Sequence, residues 1–222
     1  GVAGNGTITK IGTKPFYSDM RGSSIMYDVD QIAMIDNDGA LWVVNITDSY
    51  NPVFSENTNL GKARTNGVMS SLPDGRVIIT GGCESIARAC QNVTNAVLSV
   101  QIWDPISNTV FTGPNQEIPR LYHSTALILP DGTVFSAGGG APGPLLNLNG
   151  QVYSPGYLFS PETGGLASRP LMILSRNKIR AGQRLSLIVD DPYDIIKVTA
   201  TMSGSVTHSR NSNSRWVNLE FD

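Results

Sequence analysis

Two segments of the chain repeat one another: "ARTNGVMSSLPDGRVIITGG" (63–82) and "RLYHSTALILPDGTVFSAGGG" (120–140). Leu72-Pro73-Asp74-Gly75 recurs as Leu129-Pro130-Asp131-Gly132, and Gly81-Gly82 recurs as Gly138-Gly139, both at an offset of 57 residues. Each unit reads as a short apolar strand, a Pro-Asp-Gly turn, a second strand rich in Val and Ile, then a Gly-Gly stop. Proline presets φ and glycine accepts positive φ, so the turn has a mechanism behind it. A weaker copy, "GSSIMYDVDQIAMIDNDGALWVVN" (22–45), precedes them.

Further strands flank the hairpins, such as "SVQIWDP" (99–105) and "NGQVYSPGYLF" (149–159). A repeat of roughly 50 residues carrying four short strands is the signature of a kelch-type β-propeller. The rival, an all-β sandwich with an accidental repeat, does not account for the paired landmarks. The fold class is therefore all-β, with residues 1–160 forming about three propeller blades. The pattern changes at "SPETGGLASRP" (160–170), a Gly/Pro/Ser-rich linker. Residues 161–222 then read as about four strands of an immunoglobulin-like β-sandwich. Such a sandwich usually needs about seven strands, and a propeller at least four blades. Both parts read as incomplete, so the sequence is expected to be a segment or one chain of a longer polypeptide.

The 222 residues carry a formal net charge of −2. No run of like charges suggests a nucleic-acid or membrane-surface partner, and no apolar stretch approaches the ~18 residues of a membrane span. The start, "GVAGNGTITK", lacks the basic and apolar regions of a signal peptide, which fits a processed or internal start. Sequons occur at Asn5, Asn45 and Asn92. Cys83 and Cys90 close the short loop "CESIARAC" between strands and beside a sequon. A disulfide is expected there rather than two unrelated thiols; it would contribute roughly 2–3 kcal/mol and implies an oxidising compartment. The protein reads as secreted.

Tyr122-His123 opens the second clear repeat, and at the 57-residue offset the matching pair is Thr65-Asn66. A structural demand shared by the blades would not require two potential metal ligands in one of them. The competing reading is that Tyr122 packs and His123 makes a hydrogen bond. The other histidine, His208, sits in the polar segment "GSVTHSRNSNSRW". Two imidazoles and a phenol suit Cu(II), but spacing alone does not bring the histidines together.

The run "ARTNGVMSSLPDGRVIITGG … RLYHSTALILPDGTVFSAGGG … NGQVYSPGYLF … RP … VTHSRNSNSRWVNL" resembles the galactose oxidase and glyoxal oxidase family of copper-radical oxidases. The likeness covers nearly the whole chain beyond about residue 20. It implies that Tyr122 is an axial, catalytic tyrosine and that His123 and His208 are equatorial copper ligands. His208 would arrive on a hairpin of the second domain reaching into the propeller channel. It also implies a second tyrosine cross-linked to a cysteine, holding a radical, in earlier blades. Cys83 and Cys90 do not match that pair, so the Cys-Tyr radical cofactor is expected only in upstream sequence.

The resemblance further places Arg64 and Asn66 at the channel mouth, where the family contacts substrate; a surface ion pair and a turn are the competing roles. The function it implies is oxidation of primary alcohols, aldehydes or sugars, with dioxygen reduced to hydrogen peroxide. Its partners would be those small molecules, dioxygen and the remainder of the polypeptide or a complementing chain. The alternative is a non-catalytic extracellular propeller that binds glycans or assembles into a structure.

Overall fold

A computed structural model describes residues 6–16, 22–84, 90, 92–140, 145–176, 178–180 and 182–222. Asn5 lies outside them. Among the described residues regular structure is β-strand with three short 3-10 turns, and no helix is long and apolar enough to cross a membrane.

Three antiparallel units follow one another. Strands β1 (Ser24–Asp28), β2 (Gln31–Ile35), β3 (Ala40–Asn45) and β4 (Val53–Asn59) make the first. Strands β5 (Val68–Ser71), β6 (Val77–Thr80), β7 (Ser99–Asp104) and β8 (Thr109–Asn115) make the second. Strands β9 (Ser124–Ile128), β10 (Val134–Gly138) and β11 (Gly150–Tyr153) make the third, which has three described strands rather than four. The first strands of the units pack on each other, β1 on β5 and β5 on β9, so the units fan outward from those strands as propeller blades do.

Burial explains the composition of the strands. All four residues of "VIIT" in β6 are buried, because that sheet is covered on both faces. Alternation divides them: Val77 and Ile79 pack into a core with Ile25, Ile35, Leu41 and Trp103, while Ile78 joins Val68, Val100, Ala126 and Val134. Two inter-blade cores thus share one strand.

The repeat landmarks have the same structure in both copies. In each "LPDG" turn the glycine N–H donates to the leucine carbonyl, at 3.0 Å for Gly75 to Leu72 and 2.9 Å for Gly132 to Leu129. Asp74 and Asp131 accept from the backbone N–H two residues on, at 3.0 and 2.9 Å. The weaker copy differs. Its "DNDG" turn joins β2 to β3, whereas the "LPDG" turns join the first strand of a blade to the second. The resemblance between them is one of turn chemistry, which serves any hairpin, and not of blade position.

Beyond residue 170 the described residues form six strands, rather than about four. Strands β12 (Met172–Leu174) and β13 (Leu187–Val189) pair, as do β14 (Val198–Met202) and β17 (Arg215–Leu219). The other two, β15 (Ser205–Thr207) and β16 (Arg210–Ser212), form a hairpin that leaves these sheets. Strand β16 pairs in parallel with β1, Ser24 opposite Arg210, and β15 packs on β9. The excursion accounts for the two strands that the sequence did not reveal.

Candidate metal centre

The two site segments are both turns. Ser124 N–H donates to Leu121 O at 3.0 Å, closing a turn with Tyr122 and His123 at its centre immediately before β9. His123 has φ 66°, in the left-handed region. The equivalent turn of the preceding blade is closed by Gly67 N–H to Arg64 O at 3.0 Å, with Asn66 at φ 61°. A turn rather than a regular strand explains how adjacent residues can face one site, since neighbours on an ideal strand point to opposite sides.

The glycine stops support these turns. A Cβ on Gly82 would lie 2.6 Å from Gly67 N and 2.7 Å from Thr65 O, and one on Gly139 would lie 3.0 Å from Leu121 N. Each Gly-Gly pair lets the end of the second strand pass against the turn that starts the first.

His208 reaches the same place from the other part of the chain. It and Ser209 are the two central residues of the β15–β16 hairpin, with φ 51° and 68°. Positive φ at both positions is the requirement of a type I′ turn, which Asn-Gly usually fills. Histidine and serine here hold a conformation costly for their types, as residues at functional sites often do. Ser209, 3% exposed, is held in place by its carbonyl, which accepts from Ser24 N–H at 3.3 Å.

The hairpin's return arm is pinned along β5 by side chains. Asn211 Nδ2 donates to Met69 O at 2.9 Å, Ser214 Oγ contacts Ser71 Oγ at 3.4 Å, and Trp216 Nε1 donates to Pro73 O at 3.0 Å. Thr199 Oγ1 also donates to Pro73 O, at 2.8 Å, and Lys197 Nζ lies 4.9 Å from the centroid of the Trp216 ring. None of these side chains was singled out from the sequence as a contributor to the site. The spacing of Asn211, Ser214 and Trp216 after "VTHS", three residues and then two, is too irregular to signal it.

The result is convergence. Nε2 of His123 lies 3.2 Å from Nε2 of His208. The Tyr122 ring stacks on His123 at 3.7 Å between centroids and stands edge-on to His208 at 5.5 Å. Thr207 Oγ1 is 2.8 Å from His208 Nδ1. Both imidazoles are exposed and Tyr122 is half-buried. Two nitrogens 3.2 Å apart can each lie ~2.0–2.1 Å from one ion with an angle of about 100° there. The pair therefore fits one metal ion, and the mixed imidazole and phenol donor set fits copper. Among the described residues no group of three His, Cys, Asp or Glu gathers, so these donors do not complete a coordination sphere by themselves.

Arg64 is buried. It is 1% exposed, Nε donates to Gly81 O at 3.0 Å, and the two terminal nitrogens donate to Gln101 Oε1 and Ser99 O. Desolvation pulls its pKa below the usual guanidinium value. Its guanidinium ties together its own blade, because a buried cation must spend its donors on nearby acceptors. Asn66 is 2% exposed, and among the described residues neither atom of its carboxamide has a hydrogen-bond partner. The structure thus gathers Tyr122, His123 and His208 and leaves Arg64 and Asn66 inside the fold.

Cys83 and Cys90 form a disulfide. It adjoins the Arg64–Gly67 turn, where Thr65 and Cys83 exchange backbone hydrogen bonds of 3.1 and 2.9 Å. Asn45 Oδ1 accepts from Thr47 N–H at 2.9 Å, and Asn92 Oδ1 accepts from Thr94 N–H at 3.0 Å.

The chain is similar in sequence and in fold to known oxidases. No family model matches the chain. It is 34% identical over 174 residues to a galactose oxidase of Gibberella zeae, covering 77% of the chain and 25% of that protein. It is 27% identical over 188 residues to an aldehyde oxidase, GLOX, of Vitis pseudoreticulata, covering 78% of the chain and 35% of that protein. A fungal alcohol oxidase of the AA5 family, solved in complex with copper, superposes with a TM-score of 0.81 at 25% identity, over 90% of this chain and 44% of that one. The chain belongs to the galactose oxidase and glyoxal oxidase family of copper-radical oxidases. It spans about a quarter of the length of the galactose oxidases it matches.

Proposed function

We propose that this chain supplies His123 and His208 as two imidazole ligands, and Tyr122 as a phenol ligand and catalytic group, to the copper of an oxidase acting on primary alcohols, aldehydes or sugars. The observation that carries the reading is the 3.2 Å approach of the two Nε2 atoms, brought together from a blade turn and a hairpin tip. Each imidazole is held by its turn, and Tyr122 packs against the His123 ring, so the donors are set before any ion arrives. Copper, together with a cross-linked Cys-Tyr pair outside this chain, would supply the two-electron oxidation that passes electrons from substrate to dioxygen and yields hydrogen peroxide.

The same reading divides the chain at residues 160 and 161, into kelch-type blades and the start of an immunoglobulin-like domain. It makes the protein secreted, which the disulfide supports. Asn45 and Asn92 are glycan acceptors in this reading, each in an Asx turn with its own sequon threonine. Arg64 has no substrate role in it. The test is peroxide release on offering primary alcohols, aldehydes and sugars to the copper-loaded longer polypeptide that carries the Cys-Tyr pair together with this chain. Release that vanishes in His208→Asn supports the reading. A protein that binds glycans, takes up no copper and releases no peroxide would be the non-catalytic propeller instead.

A further inference from the structure

We infer that Thr207 is a positioning residue for His208, its hydroxyl oxygen accepting the Nδ1–H of the imidazole and so leaving the Nε2 lone pair to a metal. The inference rests on the copper reading above and adds to it a residue outside the donor set. Thr207 Oγ1 lies 2.8 Å from His208 Nδ1, and it is Nε2 of the same ring that lies 3.2 Å from His123 Nε2. A neutral imidazole carries one proton on one of its two nitrogens; the Thr207 hydroxyl can accept from Nδ1–H or donate to Nδ1, and a metal on Nε2 requires the accepting arrangement. With the proton on Nδ1, shared with Thr207, His208 presents an unprotonated Nε2. With the proton on Nε2 it presents an N–H and cannot ligate.

The hairpin makes the arrangement local. Thr207 is the last residue of β15 and pairs with Arg210 across the turn that holds His208 and Ser209 at positive φ. Its β-branched side chain has few χ1 choices, so the oxygen is held where the ring can reach it. A partner one residue away keeps its place however the hairpin moves relative to the blades. Metal-bound histidines generally have such a partner on the second nitrogen, and losing it weakens metal binding by roughly 10–100-fold.

The experiment compares Thr207→Val, which keeps the shape and removes the acceptor, with Thr207→Ser, which keeps the hydroxyl, and with His208→Asn. Two readouts are taken: Cu(II) affinity by titration, and the His208 tautomer by nitrogen-15 NMR of the metal-free protein. Thr207→Val is expected to weaken Cu(II) binding by roughly 10–100-fold and to move the ring proton from Nδ1 to Nε2. Thr207→Ser is expected to stay within about threefold of wild type with the tautomer unchanged. Thr207 is exposed, so neither variant is expected to unfold the protein. Wild-type affinity and tautomer in Thr207→Val, with copper binding lost in His208→Asn, would overturn the role of Thr207 alone. Copper binding unaffected by His208→Asn would overturn the copper reading, and the tautomer would still decide whether Thr207 orients the ring.

Discussion

Asn66 and His123 occupy the same position of the same turn in successive blades, with φ of 61° and 66°. The left-handed conformation is therefore a property of the blade, and the imidazole is what one blade adds to it. Asparagine is among the residues that tolerate this conformation best.

His123→Asn follows as a clean removal of one ligand. Its backbone suits the turn, so stability should change by no more than about 0.5 kcal/mol. Cu(II) affinity should fall by more than about 100-fold, beyond the loss of a supporting hydrogen bond. Chemical denaturation and Cu(II) titration check the two halves of this prediction.

Gly82→Ala should destabilise the protein through the turn rather than through its own strand. Positive φ costs a non-glycine residue about 1–2 kcal/mol, and a Cβ 2.6 Å from Gly67 N adds overpacking of about 1–3 kcal/mol. A loss near 2–4 kcal/mol in denaturant unfolding is the predicted outcome.

Asn211→Ala removes the donor from the buried Met69 carbonyl and should cost about 1–3 kcal/mol. Because Asn211 pins the arm of the hairpin whose tip is His208, Cu(II) binding should weaken along with stability. Trp216→Phe, which removes the bond to Pro73 O and part of a buried ring, should cost about 1–3 kcal/mol and change copper binding less. Measuring affinity and stability on both variants separates a general loosening from displacement of the tip.

Replacing Cys83 and Cys90 together by serine should cost about 2–3 kcal/mol, as expected for a short closed loop. The disulfide borders the Asn66 turn and packs against Leu121, the first residue of the His123 turn, so Cu(II) affinity should fall along with stability.

The propeller pattern was legible because turn chemistry and strand alternation are local: "LPDG", Gly-Gly and "VIIT" each mean in the structure what they mean in the sequence. Tyr122 and His123 stood out because the repeat supplied Thr65 and Asn66 for comparison. What the sequence could not convey was long-range. The β15–β16 hairpin pairs with β1, across most of the chain, and no local periodicity records a parallel pairing between distant strands. The burial of Arg64 was not legible because its acceptors, Gly81, Ser99 and Gln101, lie 17 to 37 residues further along the chain. Thr207 was in plain view in "VTHS", yet its significance depends on which ring nitrogen faces His123.

The central claim is that His123 and His208 hold one copper ion, and pulsed electron paramagnetic resonance of the Cu(II)-loaded protein tests it most directly. Modulation from the remote imidazole nitrogens should show two coupled rings in the wild type and one in either His123→Asn or His208→Asn. A wild-type spectrum with one coupled imidazole or none, or one unchanged by both substitutions, would contradict it.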